Sequence, residues 1–238
     1  MLILAVDTST LTGSVAIVDA EGGVRAEVGG DPRAPSDRVV GLCAEAVAAA
    51  GIAMTELDAI AVGAGPGSFT GLRIGLATGK GLAYALGKPL WLASSLAALA
   101  YDHLPAVADG SLIVPALDAR RGELYAGFYR RAGARLIAVG PELVVAPTGL
   151  AAAIAAYDQH AEIVGDAVTI YAAALAALPT TMVAVTGARA TPSARGVAVA
   201  ASHGDRGDHL AHGAPTYIRP SEAEVKYPDG VPGAWRRS

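Results

Sequence analysis

Apolar positions follow two rhythms along this chain, and each rhythm predicts an element. The opening stretch "LILAVDTSTLTGSVAIVDAEGG" has two short β-rich runs around a Thr/Ser/Gly turn, then a Glu-Gly-Gly turn, which predicts a hairpin or meander. Residues 36–50, "SDRVVGLCAEAVAAA", change to helical spacing. Val39, Val40, Cys43 and Val47 form an apolar stripe, Ser36 is placed to cap it, Asp37 falls in the first turn, and Gly51 ends the run. "LDAIAVGAG" reads as a buried strand. A second helix starts near Ser68 or Thr70 and stops at Gly87, with Pro89 beyond. "KPLWLAS" is a further strand and residues 94–104 a third helix. In the second half, "PTGLAAAIAAYDQHA" reads as a helix, "EIVGDAV" as a strand and turn, and residues 170–178 as a short helix. "MVAVT" follows as a strand and residues 193–202 as a helix. Residues 202–233, rich in Gly, Pro and charge, are expected to be irregular. Strands alternating with helices give an α/β class.

The pattern also repeats. "LIVPALDARRGELYAGFYRRAG", residues 112–133, has an apolar strand ending in Asp, a polar turn reaching Gly, and a second strand. Asp118 holds the place there that Asp7 holds in the opening unit. A unit recurring after half the chain implies two similar halves facing each other.

Residues 63–81, "GAGPGSFTGLRIGLATGKG", contain seven glycines yet continue into the second helix. Three glycine-rich chemistries fail on spacing. A phosphate loop needs four residues between two glycines and then Lys with Ser or Thr. A dinucleotide fingerprint needs a third glycine where Thr70 stands. A nucleophile elbow needs Gly two residues before its Ser, where Pro66 stands. What remains is a strand-to-helix turn, either purely structural or an anion site at a helix start. Within the helix, Gly71, Gly75 and Gly79 recur every fourth residue and so share one face, a row that Ala83 and Gly87 continue. Each interior Gly costs ~1 kcal/mol relative to Ala, so the three together cost about 3 kcal/mol unless something offsets it. Close approach of a neighbour is the offset expected, and that neighbour is either the protein's own sheet or a helix of a second chain.

Composition narrows the function. The 238 residues suffice for one large domain or two small ones, and a formal charge of −4 argues against a dominant nucleic-acid surface. The pairs Arg120/Arg121, Arg130/Arg131 and Arg236/Arg237 read as a solvated face or tail. The single cysteine, Cys43, excludes an internal disulfide and reads as a buried, inert thiol in a reducing compartment. "MLILAVD" lacks a signal peptide's basic start and long apolar core, and no apolar run reaches ~20 residues, so a cytoplasmic protein without a membrane span is expected. His209 and His212, near Asp205 and Asp208, allow a metal site, but adventitious surface histidines are the expectation. Asp7, Asp19 and Asp118 suit either Mg²⁺ beside a nucleotide or the capping of turns.

Taken together, "ILAVDTST", "GAGPGSFTGLRIGLATGKGLA", "DARRGELYAGFY" and "PTYIRPSEAE" resemble the TsaB (YeaZ) family over nearly the whole chain. The resemblance implies a duplicated actin-like ATPase (ASKHA, ribonuclease H-like) fold: two lobes with mixed sheets flanked by helices, divided as 1–105 and 106–238. It implies a non-catalytic subunit that pairs with the catalytic paralogue TsaD, joins a TsaE-like ATPase, forms a homodimer when alone, and meets tRNA only through the complex. The product is N6-threonylcarbamoyladenosine next to the anticodon. The pairing surface expected from the two helices comprises Val39, Val40, Cys43, Val47, Gly71, Leu72, Gly75 and Gly79. A vestigial nucleotide site comprises Asp7, Thr8, Ser9, Asp118, Gly165 and Asp166; no cofactor is required, though weak ATP or ADP binding with Mg²⁺ is allowed. TsaD carries a metal on two histidines four residues apart, and Ser95 and Leu99 stand at those places in "ASSLAALAYDHL". "PSDRV" replaces a family stretch like "HSERL", and the helix before "PTYIRP" is shortened or replaced. The competing readings are a small-molecule kinase or ATPase using Asp7 or Asp118, and, more remotely, an M22-like glycoprotease.

Overall fold

The computed structural model describes residues 1–19, 21–29, 38–185 and 189–219. The cap expected at Ser36 and Asp37 and the Arg236/Arg237 pair lie outside them.

Two sheets of the same topology form the frame. The first contains β1 (Leu2–Asp7), β2 (Ser14–Asp19), β3 (Val24–Gly29), β4 (Ala59–Gly63) and β5 (Leu90–Ala93), in the order β3-β2-β1-β4-β5. The second contains β6 (Leu112–Arg120), β7 (Glu123–Ala126), β8 (Tyr129–Ala132), β9 (Arg135–Ala138), β10 (Leu143–Val145), β11 (Ala161–Val164) and β12 (Met182–Ala184). Its main path runs β10-β7-β6-β11-β12, and the β8–β9 hairpin joins the start of β6. In each sheet the first strand pairs antiparallel with the second and parallel with the fourth, so β6 is the structural counterpart of β1. β1 and β4 are buried almost throughout, as parallel strands covered on both faces must be. This doubled arrangement is the actin-like ATPase fold.

The helices divide between the sheets unevenly. α1 (Val39–Ala49) and α2 (Phe69–Leu86) cover the outer face of the first sheet, through Val39, Cys43, Val47, Leu76 and Ala83 against Leu4, Ile17, Ile60 and Val62. α4 (Leu150–Ala155), α5 (Asp166–Ile170) and α6 (Ala172–Leu175) cover the outer face of the second. The inner helices are exchanged. α3 (Ser95–His103) follows β5 in sequence yet packs Leu96, Leu99 and Ala100 onto Ile113, Leu117 and Val164 of the second sheet. α7 (Ala194–His203) follows β12 yet packs Val197, Ala198 and Ala201 onto Ile3, Ala5 and Ala61 of the first. The two helices cross closely, because a Cβ on Gly196 would overlap the Ala98 carbonyl. Asp102 on α3 locks the crossing by accepting from Ser193 N–H at 3.0 Å and Ser193 Oγ–H at 2.6 Å.

The glycine row has its answer here, and it corrects the expected pairing surface. A Cβ on Gly71 would overlap the Thr8 carbonyl, one on Gly75 the Thr8 hydroxyl, and one on Gly79 a Val62 methyl. The bare ridge of α2 therefore lies on β4 and the chain just after β1. Leu72, at 1% exposure, and Val39, Cys43 and Val47 are likewise interior. Of the eight residues expected at the partner surface, Val40 alone is exposed, at 60%.

Two charged stretches also prove structural. Arg130 donates to Asp158 and the Gly110 carbonyl, both at 2.9 Å, and Arg131 donates to the carbonyls of Leu104, Val107 and Gly133. These arginines staple loops rather than forming a solvated face. The Gly/His/Asp loop covers the edge of β5: Asp208 accepts from Leu90 N–H at 3.0 Å, and His209 N–H donates to the Leu90 carbonyl at 2.8 Å. Edge strands need such cover to avoid unwanted pairing.

Candidate functional site

Two features of the surface carry functional meaning: a cleft between the lobes and the open side of α1 and α2. The cleft, about 510 Å³, is bounded by the loop after β1, the turn before α2, the β6–β7 hairpin, Asp166, and residues 216–219. Ser9, Asp118 and Asp166 of the expected nucleotide set reach it; Asp7, Thr8 and Gly165 do not line it.

Asp7 is sealed behind the cleft wall with no exposure. Ser9 donates to its Oδ1 from N–H at 3.0 Å and from Oγ at 2.7 Å, and Ser95 donates to Oδ2 at 3.2 Å. Burial pushes its carboxyl up to about 6 against the opposing pull of these hydrogen bonds. A carboxylate enclosed this way reaches neither a metal nor a substrate in the cleft. Thr8 turns its hydroxyl to the Gly71 carbonyl at 2.7 Å, and Gly165, at φ +117°, packs against the Ala116 carbonyl.

Asp118 is committed as well. Its Oδ1 accepts from Arg120 N–H at 2.8 Å and from Tyr171 OH at 2.7 Å, and the Arg120 guanidinium lies 3.4 Å from Oδ2. Burial, then the bond to Asp118, pushes the Tyr171 phenol up to about 12, so this donor keeps its proton. The hairpin turn holds Arg120 and Arg121 at φ 63° and 57°, a conformation that costs a non-glycine residue ~1 kcal/mol or more; the Asp118 contacts stabilise it. Asp166, first residue of α5, accepts from Asp118 N–H at 2.8 Å, and burial raises its pKa.

A nucleotide's phosphates need free N–H donors and cations. Here Ser9 N–H is spent on Asp7, Ser68 N–H on the Ser9 carbonyl at 2.7 Å, and Asp118 N–H on Asp166. Arg120 pairs with Asp118, and Arg219 with the Ala119 carbonyl and Glu123. Two carboxylates face the space that remains. The N–H groups of Ser9, Ser68 and Asp118 and the Arg120 and Arg219 guanidiniums are therefore committed within the chain and not to a phosphate. Among the described residues no group of three or more His, Cys, Asp or Glu is arranged to hold a metal, and no helix is long and apolar enough to cross a membrane.

The second feature was not read from the sequence. On α2, Ala77, Gly81 and Ala85 form a row two residues out of step with Gly75 and Gly79. Two residues at about 100° each set it on the opposite side of the helix. Gly41, Ala44 and Ala48 make a matching row on α1. Among the described residues a Cβ on Gly41 or Gly81 would meet nothing within 4 Å. Val40, Phe69 and Tyr84 (80% exposed) stand around these rows. The spacing of small residues, four apart on α2 and three then four apart on α1, was the available signal.

The chain matches the family described as "TsaD: tRNA N6-adenosine threonylcarbamoyltransferase" over residues 10–227. It is 36% identical over 131 residues to the Escherichia coli tRNA threonylcarbamoyladenosine biosynthesis protein TsaB, covering 55% of this chain and 56% of that protein. It is 35% identical over 144 residues to the Bacillus subtilis protein of the same name, covering 60% and 61%. The match thus spans less than two thirds of these relatives. Among solved structures it is similar to YeaZ from Pseudomonas aeruginosa, with a TM-score of 0.76 and 29% identity over 91% of this chain and 99% of that one. The chain belongs to the tRNA N6-adenosine threonylcarbamoyltransferase family, in its TsaB (YeaZ) branch.

Proposed function

We propose that the chain serves tRNA N6-threonylcarbamoyladenosine synthesis as a scaffold, pairing with a catalytic TsaD-type paralogue through the open side of α1 and α2. The observation that carries this reading is the pair of uncovered glycines. Gly41 and Gly81 each cost ~1 kcal/mol in a helix interior, and nothing among the described residues offsets that. A backbone arriving from outside would, because small residues let helices approach closely. Val40 and Tyr84 supply the apolar anchors beside them. The names of the E. coli and B. subtilis relatives support the pathway, and the sealing of Asp7 and commitment of Asp118 support a non-catalytic role. Alone, the same surface pairs with a second copy into a two-fold dimer. The TsaE-like ATPase and tRNA engage the assembled complex.

The test is co-expression with the TsaD-type protein of the same genome. Val40→Asp combined with Tyr84→Asp should abolish co-elution and formation of the modified nucleoside while leaving the melting transition intact. A folded double variant that still co-elutes refutes the surface. ATP turnover by the isolated chain refutes the scaffold role.

A further inference from the structure

The segment after the β5-covering loop crosses the mouth of the cleft. On the first lobe, Thr216 N–H donates to the Ala64 carbonyl at 2.7 Å, just beyond β4. Gly65, at φ +106°, makes room for it, since a Cβ there would come within 2.8 Å of the Thr216 carbonyl. Tyr217 stacks on Phe69 at 5.1 Å and accepts from Arg73 Nε at 3.1 Å, while the Arg73 guanidinium lies 3.8 Å over the Phe69 ring. On the second lobe, Arg219 donates to the Ala119 carbonyl at 2.8 Å and pairs with Glu123 at the base of β7. None of residues 214–219 is buried, so the segment adds nothing to either core. Its contacts instead run from β4 and α2 to the β6–β7 hairpin.

We infer that residues 214–219 are a clasp that holds the two lobes at one fixed closure. Two-lobed proteins commonly close around a ligand that bridges the lobes. In this chain the N–H groups of three residues that line the cleft, Ser9, Ser68 and Asp118, are already engaged. The bridge is a piece of the polypeptide, and lobe closure does not depend on a nucleotide.

Pulsed electron spin resonance on the full chain tests this. Spin labels at Glu21→Cys on the first lobe and Ala152→Cys on the second, both exposed, report the separation. Cys43 is buried with its thiol pushed up to about 12 and stays unlabelled. Dilution with unlabelled chain restricts the signal to pairs within one molecule. The wild-type clasp should give one narrow distance that ATP with Mg²⁺ leaves unchanged. Tyr217→Ala with Arg219→Ala should broaden the distribution toward longer separations. An unchanged distribution in that folded variant overturns the inference, as does a shift of the wild-type distance on adding ATP with Mg²⁺. Arg219→Ala alone touches no core residue and provides the same reading if the double variant folds poorly. Tyr217→Phe keeps the stack and should retain the narrow distance.

Discussion

The glycines of α2 offer a test in which one substitution is read at two positions of a single helix. Gly75→Ala and Gly81→Ala gain the same ~1 kcal/mol of helix propensity. At Gly81 the new methyl meets nothing within 4 Å among the described residues, so the full gain should appear, a rise of ~2–4 °C in melting temperature for a chain of this length. At Gly75 the methyl overlaps the Thr8 hydroxyl, which is 2% exposed and bonded to the Gly71 carbonyl at 2.7 Å, so it has nowhere to swing. Overpacking of this kind costs ~1–3 kcal/mol or more, so Gly75→Ala should lower the melting temperature. Pairing discriminates in the other direction. Gly81→Leu should leave the monomer as stable as wild type but weaken association with the TsaD-type partner at least about tenfold, or ~1.4 kcal/mol. Thermal melts of the isolated variants and a binding titration with the partner measure both. Equal melting shifts for Gly75→Ala and Gly81→Ala would refute the packing argument. Undiminished pairing of Gly81→Leu would refute the interface.

Further outcomes follow from the buried polar groups. The Asp7 carboxyl, raised from 3.8 to about 6 by burial, binds its proton more tightly folded than unfolded. Its contribution to stability is full below about pH 4 and is lost as pH rises through about 6, a change of roughly 3 kcal/mol at ~1.4 kcal/mol per pKa unit. Asp7→Asn should therefore flatten the pH dependence of urea unfolding between about pH 4 and 7; curves that stay parallel to wild type would refute the assignment. Arg131→Met leaves the part-buried Val107 carbonyl without its side-chain donor and the Leu104 carbonyl with Val107 N–H at 3.3 Å, and should cost ~2 kcal/mol, measured as a lower urea midpoint. Asp208→Ala uncovers the Leu90 N–H on the edge of β5 and should cost ~1 kcal/mol and raise the rate of aggregation, followed by light scattering.

How far the sequence spoke for the structure depended on whether a signal was local. Element types were local, and so was the Asp7/Asp118 recurrence, because a strand ending in a turn needs the same short pattern wherever it occurs. β1 and β6 duly hold equivalent places in sheets whose five-strand main paths run in the same order. The exchange of α3 and α7 was not legible, since Leu99 looks equally apolar whichever sheet it meets. Arg130 and Arg131 looked solvated because the carbonyls they staple, at Gly110, Leu104 and Val107, become neighbours only in the fold. Gly71, Gly75 and Gly79 announced a close approach, and that inference from spacing was sound. Their partner was undetermined, because a period fixes which residues share a face and never which way the face turns. The direction came from Val62 on β4 and from Thr8 just after β1, which both reach α2. Once that face is assigned inward, the second row on the same helix must point out. Gly81 then becomes the glycine without an internal reason among the described residues, and the ridge open to a partner's backbone is the one opposite Gly71, Gly75 and Gly79.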